Sequence, residues 1–449
     1  MIQDRDLLLY AGGAAFQKYG TFTRRVTTID RLGEDLVETC TRAGVATGVS
    51  RAGYVHSVAA NTPRVVWLDL DGDGVRETCS VLVEDARTNT ILQSEDASTT
   101  WTTTNVTVNT NAVKAPSGAT TADQIVEDAS ASVRHRIRQA LTITGGETCL
   151  AVCWFRYVDR PWVYLELNDG AGSPVDAARV FFNVQTGVVG STDFEGAGSV
   201  NAQGIEEWVI DGVTWYRVWA SMIVNPADTS VAMCCGLADA DLSWEYAGDG
   251  ASSVYWWGAQ LERVGSDTAA RPSSYIPTTT STVTRSVDQL SVPWPWSAGT
   301  PVQVYAKFRE LQAPNWDTTY SRIWQVGGGE NVSNFSLYRR VGQDDYQARH
   351  KPTTAVFSTV STLAPSYADT IETLTRLTAA GTVTLEAAKN DGASIVGATS
   401  AALDAVAYAN QTLAIGAAYG TNSVGMMALV ALIVARPSHT LADFRALLP

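Results

Sequence analysis

Histidine is scarce in this chain: four in 449 residues, His56, His135, His350 and His439. None stands in H-E-x-x-H and no serine stands in G-x-S-x-G, so the zincin and α/β-hydrolase signatures are missing. Positive charge is also in deficit. With 32 Lys and Arg against 46 Asp and Glu, the net charge is -14 and leaves no electrostatic footprint for a phosphate backbone. Nucleic acid is therefore not an expected partner. Cysteine is limited to six residues and no C-x-x-C pair occurs, which excludes zinc-ribbon and thioredoxin-like sites by spacing. On a strand, Cys149 and Cys153 would share a face but lie roughly 13 Å apart, and the adjacent Cys234 and Cys235 would face opposite ways. All six thiols are expected to be free, as suits a reducing cytoplasm. Long apolar runs are lacking too. The start, MIQDRDLLLYAGG, falls short of a secretory h-region, and the apolar run Met426 to Ala435 is too short to span a bilayer as a helix. That run reads as a buried strand, and neither Sec export nor membrane insertion is expected.

What the chain does have is 36 Gly, 14 Trp and 16 Tyr, with 45% hydrophobic and only 17% charged residues. This is the mix of many short strands joined by tight turns. The expected fold is all-β: two tandem jelly-roll or β-sandwich domains preceded by a small β-rich N-terminal region. The boundaries fall at 1–90 for the N-terminal attachment region, 91–277 for the first jelly roll, 278–290 for a Ser/Thr-rich linker, and 291–449 for the second jelly roll. In VYWWGAQL, Val254, Trp256 and Gly258 alternate with Tyr255, Trp257, Ala259 and Leu261, as in a central sandwich strand. In Thr214 to Val224, one face carries Tyr216, Val218, Ala220 and Met222 and reads as core. The other, with Trp215, Arg217, Trp219 and Ser221, is mixed. Asn390-Asp391-Gly392 marks a hairpin turn, and the capping spacing Thr440 to Asp443 predicts one short terminal helix.

Two groups of residues could carry binding chemistry. Between a pair of strands expected to form a hairpin, Asp69, Asp71, Asp73 and Gly74 have the D-x-D-x-D-G spacing of a Ca²⁺ loop, with Glu77 as a further ligand. The twelfth position, however, is Ser80 rather than a bidentate Glu, and the same residues also make a tight turn without an ion. Ca²⁺ is the one cofactor the sequence suggests. Trp162, Tyr164, Trp208, Trp215, Trp219 and Trp256 could stack on sugar rings. By the usual burial of tryptophan, roughly one or two of them should lie on a binding face and the rest in the core. The adjacent carboxylates Glu206-Glu207 and Asp344-Asp345 diverge on a strand and do not make a glycosidase pair. Gly327-Gly328-Gly329 lacks the lysine and helix of a phosphate loop.

Two stretches resemble a known family. The first, EDARTNTILQSEDASTTW, holds Glu84, Arg87, Thr88, Asn89, Ser94, Glu95, Asp96 and Trp101. The second holds Trp257, Gly258, Ala259, Gln260, Leu261, Glu262, Ser274, Tyr275, Ile276, Pro277, Thr284 and Arg285. Together they are similar to the opening and closing motifs of the phage head spike fibre family, across about residues 20 to 290. Residues 290–449 look like a concanavalin A-like or laminin G-like jelly roll. The resemblance implies a carbohydrate-binding-module-like jelly roll on the virion surface of a tailed phage, made in the bacterial host cytoplasm, and it carries over no catalytic residue.

The expectation is thus a non-enzymatic spike, fibre or decoration component of a tailed phage or phage-like particle. Its expected partners are other virion structural proteins, host-surface glycan and further copies of itself. A capsule-degrading enzyme and a tail-associated receptor-binding protein are the alternatives.

Overall fold

The computed structural model describes residues 6–10, 26–29, 39–69, 76, 78–142, 146–170, 175–223, 225, 227–265, 271–294, 300–310, 320–327, 334–340, 345–351, 356–360, 363, 369–402, 412–415, 427–435 and 440–445. The chain is all-β, built from largely antiparallel sheets of the β-sandwich, jelly-roll-like class. It divides into two compact units, one of residues 52–57 and 87–285, the other of residues 1–51, 58–86 and 286–449.

In the unit of residues 52–57 and 87–285, one sheet runs in the order Val106–Val113, Ala122–Glu127, Ser253–Arg263, Cys149–Tyr157, Val213–Ile223, Ser199–Ile210. The other runs Val188–Glu195, Ala177–Asn183, Trp162–Asn168, Ser230–Ala238, Val133–Thr142, Glu245–Tyr246. Alternation along each strand sends one set of side chains between the sheets. Tyr216, Val218, Ala220 and Met222 meet Val163, Leu165 and Leu167 there, in the core read from the sequence. The mixed face of the same strand is also covered. Trp215 and Trp219 join Trp154, Trp257 and Tyr275 in a second, separate aromatic cluster.

The strict alternation expected in Ser253–Arg263 breaks at one residue. Trp256, Ala259 and Leu261 all belong to the inter-sheet core, whereas Trp257 belongs to the second cluster. The cause is Gly258, whose φ of +69° sits opposite a register shift between Val152 and Trp154. A Cβ there would also meet the Trp154 ring at 2.7 Å. This extra residue reverses the in-and-out sense of everything that follows. Asp211 and Gly212, at φ 51° and 75°, close the Ile210↔Val213 hairpin as a two-residue turn.

The other unit corrects the expected boundaries. Residues from 1–90 do not stand apart: Asp6–Tyr10 and Thr78–Val83 both pair with Met427–Ala435, and Thr39–Thr41 pairs with Gln289–Pro293. The N-terminal strands and the C-terminal half therefore build one sandwich around one core, which includes Cys40, Val83, Val304, Trp324, Leu385 and Leu429. Nor is 278–290 a bare linker. Val283–Arg285 pairs with Arg87–Asn89, and Gln289–Pro293 also pairs with Thr412–Ile415. Threonine-rich chain extends readily into strands, so polarity alone did not make this segment a spacer.

Several local readings hold. The strand Met427–Ala435 packs Met427, Leu429 and Leu432 into the core. Arg64–Leu68 and Thr78–Val83 form the expected antiparallel pair. Asn390 and Asp391 both have positive φ, with Gly392 N donating to Lys389 O at 2.9 Å. The terminal helix is Leu441–Arg445, with Phe444 stacked on Tyr305 and Arg445 Nε 2.6 Å from a Glu372 oxygen. Cys149, Cys153, Cys234 and Cys235 are free and buried, and Cys40 is buried too. Burial pushes the Cys149 thiol up to about 12, so it stays protonated and unreactive. The Cys79 side chain lies outside the described residues.

Candidate functional site

Asn89 is the centre of a clasp in the unit of residues 52–57 and 87–285. The short strand Arg87–Asn89 pairs with Ser253–Arg263 on one side and Val283–Arg285 on the other. The Asn89 carboxamide is fully buried. It donates to Ala259 O at 3.0 Å and Ile276 O at 2.9 Å, and accepts from Leu261 N at 3.0 Å and Ile91 N at 3.1 Å. No aliphatic side chain could satisfy four backbone groups at once, which is why an amide stands here. Ser94 continues the clasp: its hydroxyl lies 2.7 Å from the Tyr275 hydroxyl and accepts from Thr278 N at 2.9 Å. Thr278 Oγ1 donates to Ile91 O at 2.6 Å, so the first threonine of the expected Ser/Thr-rich linker is buried and hydrogen-bonded.

Beside this clasp lies a cleft of about 400 Å³, lined by Gln93, Glu95, Asp96, Ser98, Thr110, Asn111, Thr121, Asp123, Pro277, Thr278 and Thr279. That volume is within the range of small-ligand sites. Its three carboxylates are held in place by neutral donors. Asp96 accepts from Ser98 N at 2.8 Å, from Ser98 Oγ at 2.6 Å and from Thr99 Oγ1. Burial works against the Asp96 charge, but these bonds outweigh it and hold the carboxyl below its ordinary value. Asp123 accepts from Ala97 N at 2.8 Å and Asn111 N at 2.9 Å. Burial nevertheless pushes Asp123 up, and the neighbouring Asp96 charge adds to the effect. Glu95 accepts from Thr121 Oγ1 at 3.0 Å and from the Tyr275 hydroxyl at 3.1 Å. Two of the lining residues, Gln93 and Asn111, hold left-handed backbone at φ 51° and 54°. Such conformations persist only where the surroundings impose them. No lysine or arginine is among the lining residues.

The residues singled out from sequence are distributed differently. Asp69 uses its backbone carbonyl to accept from Arg309 Nη1 at 2.7 Å; Asp71, Asp73 and Glu77 lie outside the described residues. Among the described residues, no three His, Cys, Asp or Glu group together in a way that could hold a metal ion. Of the six aromatic candidates, Tyr164, Trp215, Trp219 and Trp256 are at most 2% exposed and are core. Trp256 meets Trp101 edge to face, and the Tyr164 ring lies over Gly236. Trp208 is half-buried and packs on Trp154 at 5.8 Å. Trp162 is half-buried too, beside Trp244 and against Tyr164, Phe181 and Ala238 on the face away from the inter-sheet core. Sequence reasoning missed the cleft. Its signal was present in the SED and PTT stretches, but only as parts of a family pattern taken to be structural.

That outer face also holds a buried ion network. Glu166 receives Arg136 Nη1 at 2.8 Å, together with Arg179 Nε and Asn168 Nδ2. Arg179 reaches on to Asp193 at 2.9 Å and Glu195 at 2.8 Å. Burial alone would raise the Glu166 pKa, but Arg179 and Arg136 outweigh it and hold it below the usual glutamate value. A carboxylate depressed on folding contributes stability above its unfolded pKa and loses it as pH falls through the folded one. The unit is therefore expected to keep a level melting temperature from pH 7 to about 5 and to lose it progressively below the ordinary glutamate pKa of about 4.3. Glu166→Gln should melt lower at pH 7 and fall less steeply with acid; equal slopes in a calorimetric pH series would count against this.

No family model matches this chain, and no curated protein matches it. No helix among the described residues is long and apolar enough to cross a membrane.

Proposed function

We propose that this chain is a non-enzymatic, homo-oligomeric surface component, a spike, fibre or decoration protein, of a tailed phage or phage-like particle. In this reading it docks on other virion proteins and contacts host-surface polysaccharide through the cleft beside the Asn89 clasp. The observation that carries the reading is the clasp itself. The two stretches that resemble the head spike fibre motifs are far apart in sequence, yet they interlock through Asn89, Ser94, Tyr275 and Thr278. Motifs that open and close a domain should meet in this way. Their meeting in one unit is what supports the reading.

Sugar contact draws on the cleft's chemistry. Among the described residues, the side chains of Gln93, Thr110, Asn111 and Thr279 line the cleft, and their hydrogen-bonding capacity remains open to a polyhydroxylated ligand. Half-buried Trp162 and Trp208 keep further aromatic surface outside the cleft. Weak contacts of this kind become effective when many copies share one particle. Particles lacking the protein are expected to assemble normally and adsorb less to encapsulated cells. Loss of assembly would make the protein an essential scaffold, and release of reducing ends from capsule by purified protein would establish an enzyme.

A further inference from the structure

We infer that the cleft selects its sugar by charge, taking amine-bearing or uncharged residues and turning away uronates and other acidic sugars. The inference rests on reading the cleft as the sugar site and specifies what that site accepts. Glu95, Asp96 and Asp123 line one cleft of about 400 Å³, and the described hydrogen-bond partners of their carboxylates are neutral hydroxyls and backbone N–H groups. Hydroxyl and amide donors orient a carboxylate without cancelling its charge, so the cleft keeps a negative field that a guanidinium would have removed. A sugar carboxylate entering it would add a like charge at close range, whereas a protonated amine would be drawn in by the same field.

Position within the cleft supports the same assignment. Asp123 is 1% exposed, at the floor, with both oxygens tied to the backbone. Glu95 and Asp96 are more open, and Asp96 is fixed by its own turn. Thr110, Asn111 and Thr279 are exposed and can hydrogen-bond ring hydroxyls of any sugar, which provides affinity but no choice of charge. The carboxylates provide the choice.

The test uses the whole chain with three probes of equal length: a deacetylated glucosamine oligomer, its fully N-acetylated form, and an oligogalacturonate. At low ionic strength the deacetylated oligomer is expected to bind about tenfold or more tighter than the galacturonate, with the margin shrinking as salt screens the cleft. The N-acetylated form should fall between. Asp96→Asn should cut the margin several-fold. Thr110→Lys, an exposed rim substitution that leaves the fold bonds alone, should do the same if the first variant folds poorly. Galacturonate binding as tightly as the amine form, or a margin that survives both variants, would overturn the charge selection while leaving sugar contact standing. No binding of any probe at millimolar concentration would overturn both.

Discussion

Asn89→Ala is expected to be the most damaging single change in the unit of residues 52–57 and 87–285. Four backbone groups, Ala259 O, Ile276 O, Leu261 N and Ile91 N, would lose their partner in a fully buried setting. A buried polar group left unsatisfied costs about 1–3 kcal/mol, so the sum should be on the order of 4 kcal/mol or more even with partial relaxation. Asn89→Asp separates the two halves of the amide. It keeps the acceptor for Leu261 and Ile91 but faces Ala259 and Ile276 carbonyls with charge in place of donors, and it should be at least as harmful. Urea unfolding monitored by tryptophan fluorescence reads this directly; a loss below about 1 kcal/mol would mean that the clasp does not hold the unit together. The variant should also disorder the cleft, because Gln93 N donates to Thr279 O at 2.8 Å across the same clasp.

In the other unit the corresponding position is Asp288. Its carboxylate meets Arg42 Nη1 at 2.9 Å and Arg64, and accepts from Glu84 N at 3.0 Å; Arg64 Nη1 also reaches Glu84 at 2.5 Å. All four side chains are almost wholly buried. For Arg64, burial opposes the charge, but Glu84 and Asp288 together outweigh it and raise its pKa. Asp288→Ala would leave Arg42 without its described ion-pair partner in the interior, and removing one member of a buried ion cluster costs about 3–5 kcal/mol. Asp288→Asn retains an acceptor and should fall in between. The check is whether the unfolding transition of residues 1–51, 58–86 and 286–449 moves alone. A shift under about 1 kcal/mol would show that water or rearrangement compensates. Because Arg42 and Arg64 come from the first part of the chain and Asp288 from the second half, this cluster also explains why the N-terminal strands belong to the C-terminal sandwich.

What could be read from the chain followed from local physics. A period of two in Val213–Ile223 separated Tyr216, Val218, Ala220 and Met222 from Trp215 and Trp219, because alternation is set by the backbone of one strand alone. Asn390 and Asp391 announced their turn through the positive φ they tolerate. The apolar run ending at Ala435 and the capping pattern before Phe444 were legible for the same reason. The EDARTNTILQSEDASTTW stretch and the stretch through Tyr275 hold both ends of the clasp. They could not say that a cleft lies beside it, since Asp96 and Asp123 come together only when the Ala122–Glu127 strand pairs with Ser253–Arg263.

Tertiary structure decided the rest. Period two says which side chains share a face, but not what covers that face, so Trp215 and Trp219 read as possible sugar platforms until Tyr275 and Trp257 closed over them. One glycine, Gly258, reversed the facing of Ala259 and Leu261, a change that no alternation count contains. The domain boundaries failed for a related reason. Strand pairing is a contract between distant segments, sealed by backbone hydrogen bonds that carry no side-chain signature. Thr78–Val83 could be recognised as a strand from its residues, yet only the fold could choose Met427–Ala435 as its partner, or pair Thr39–Thr41 with Gln289–Pro293.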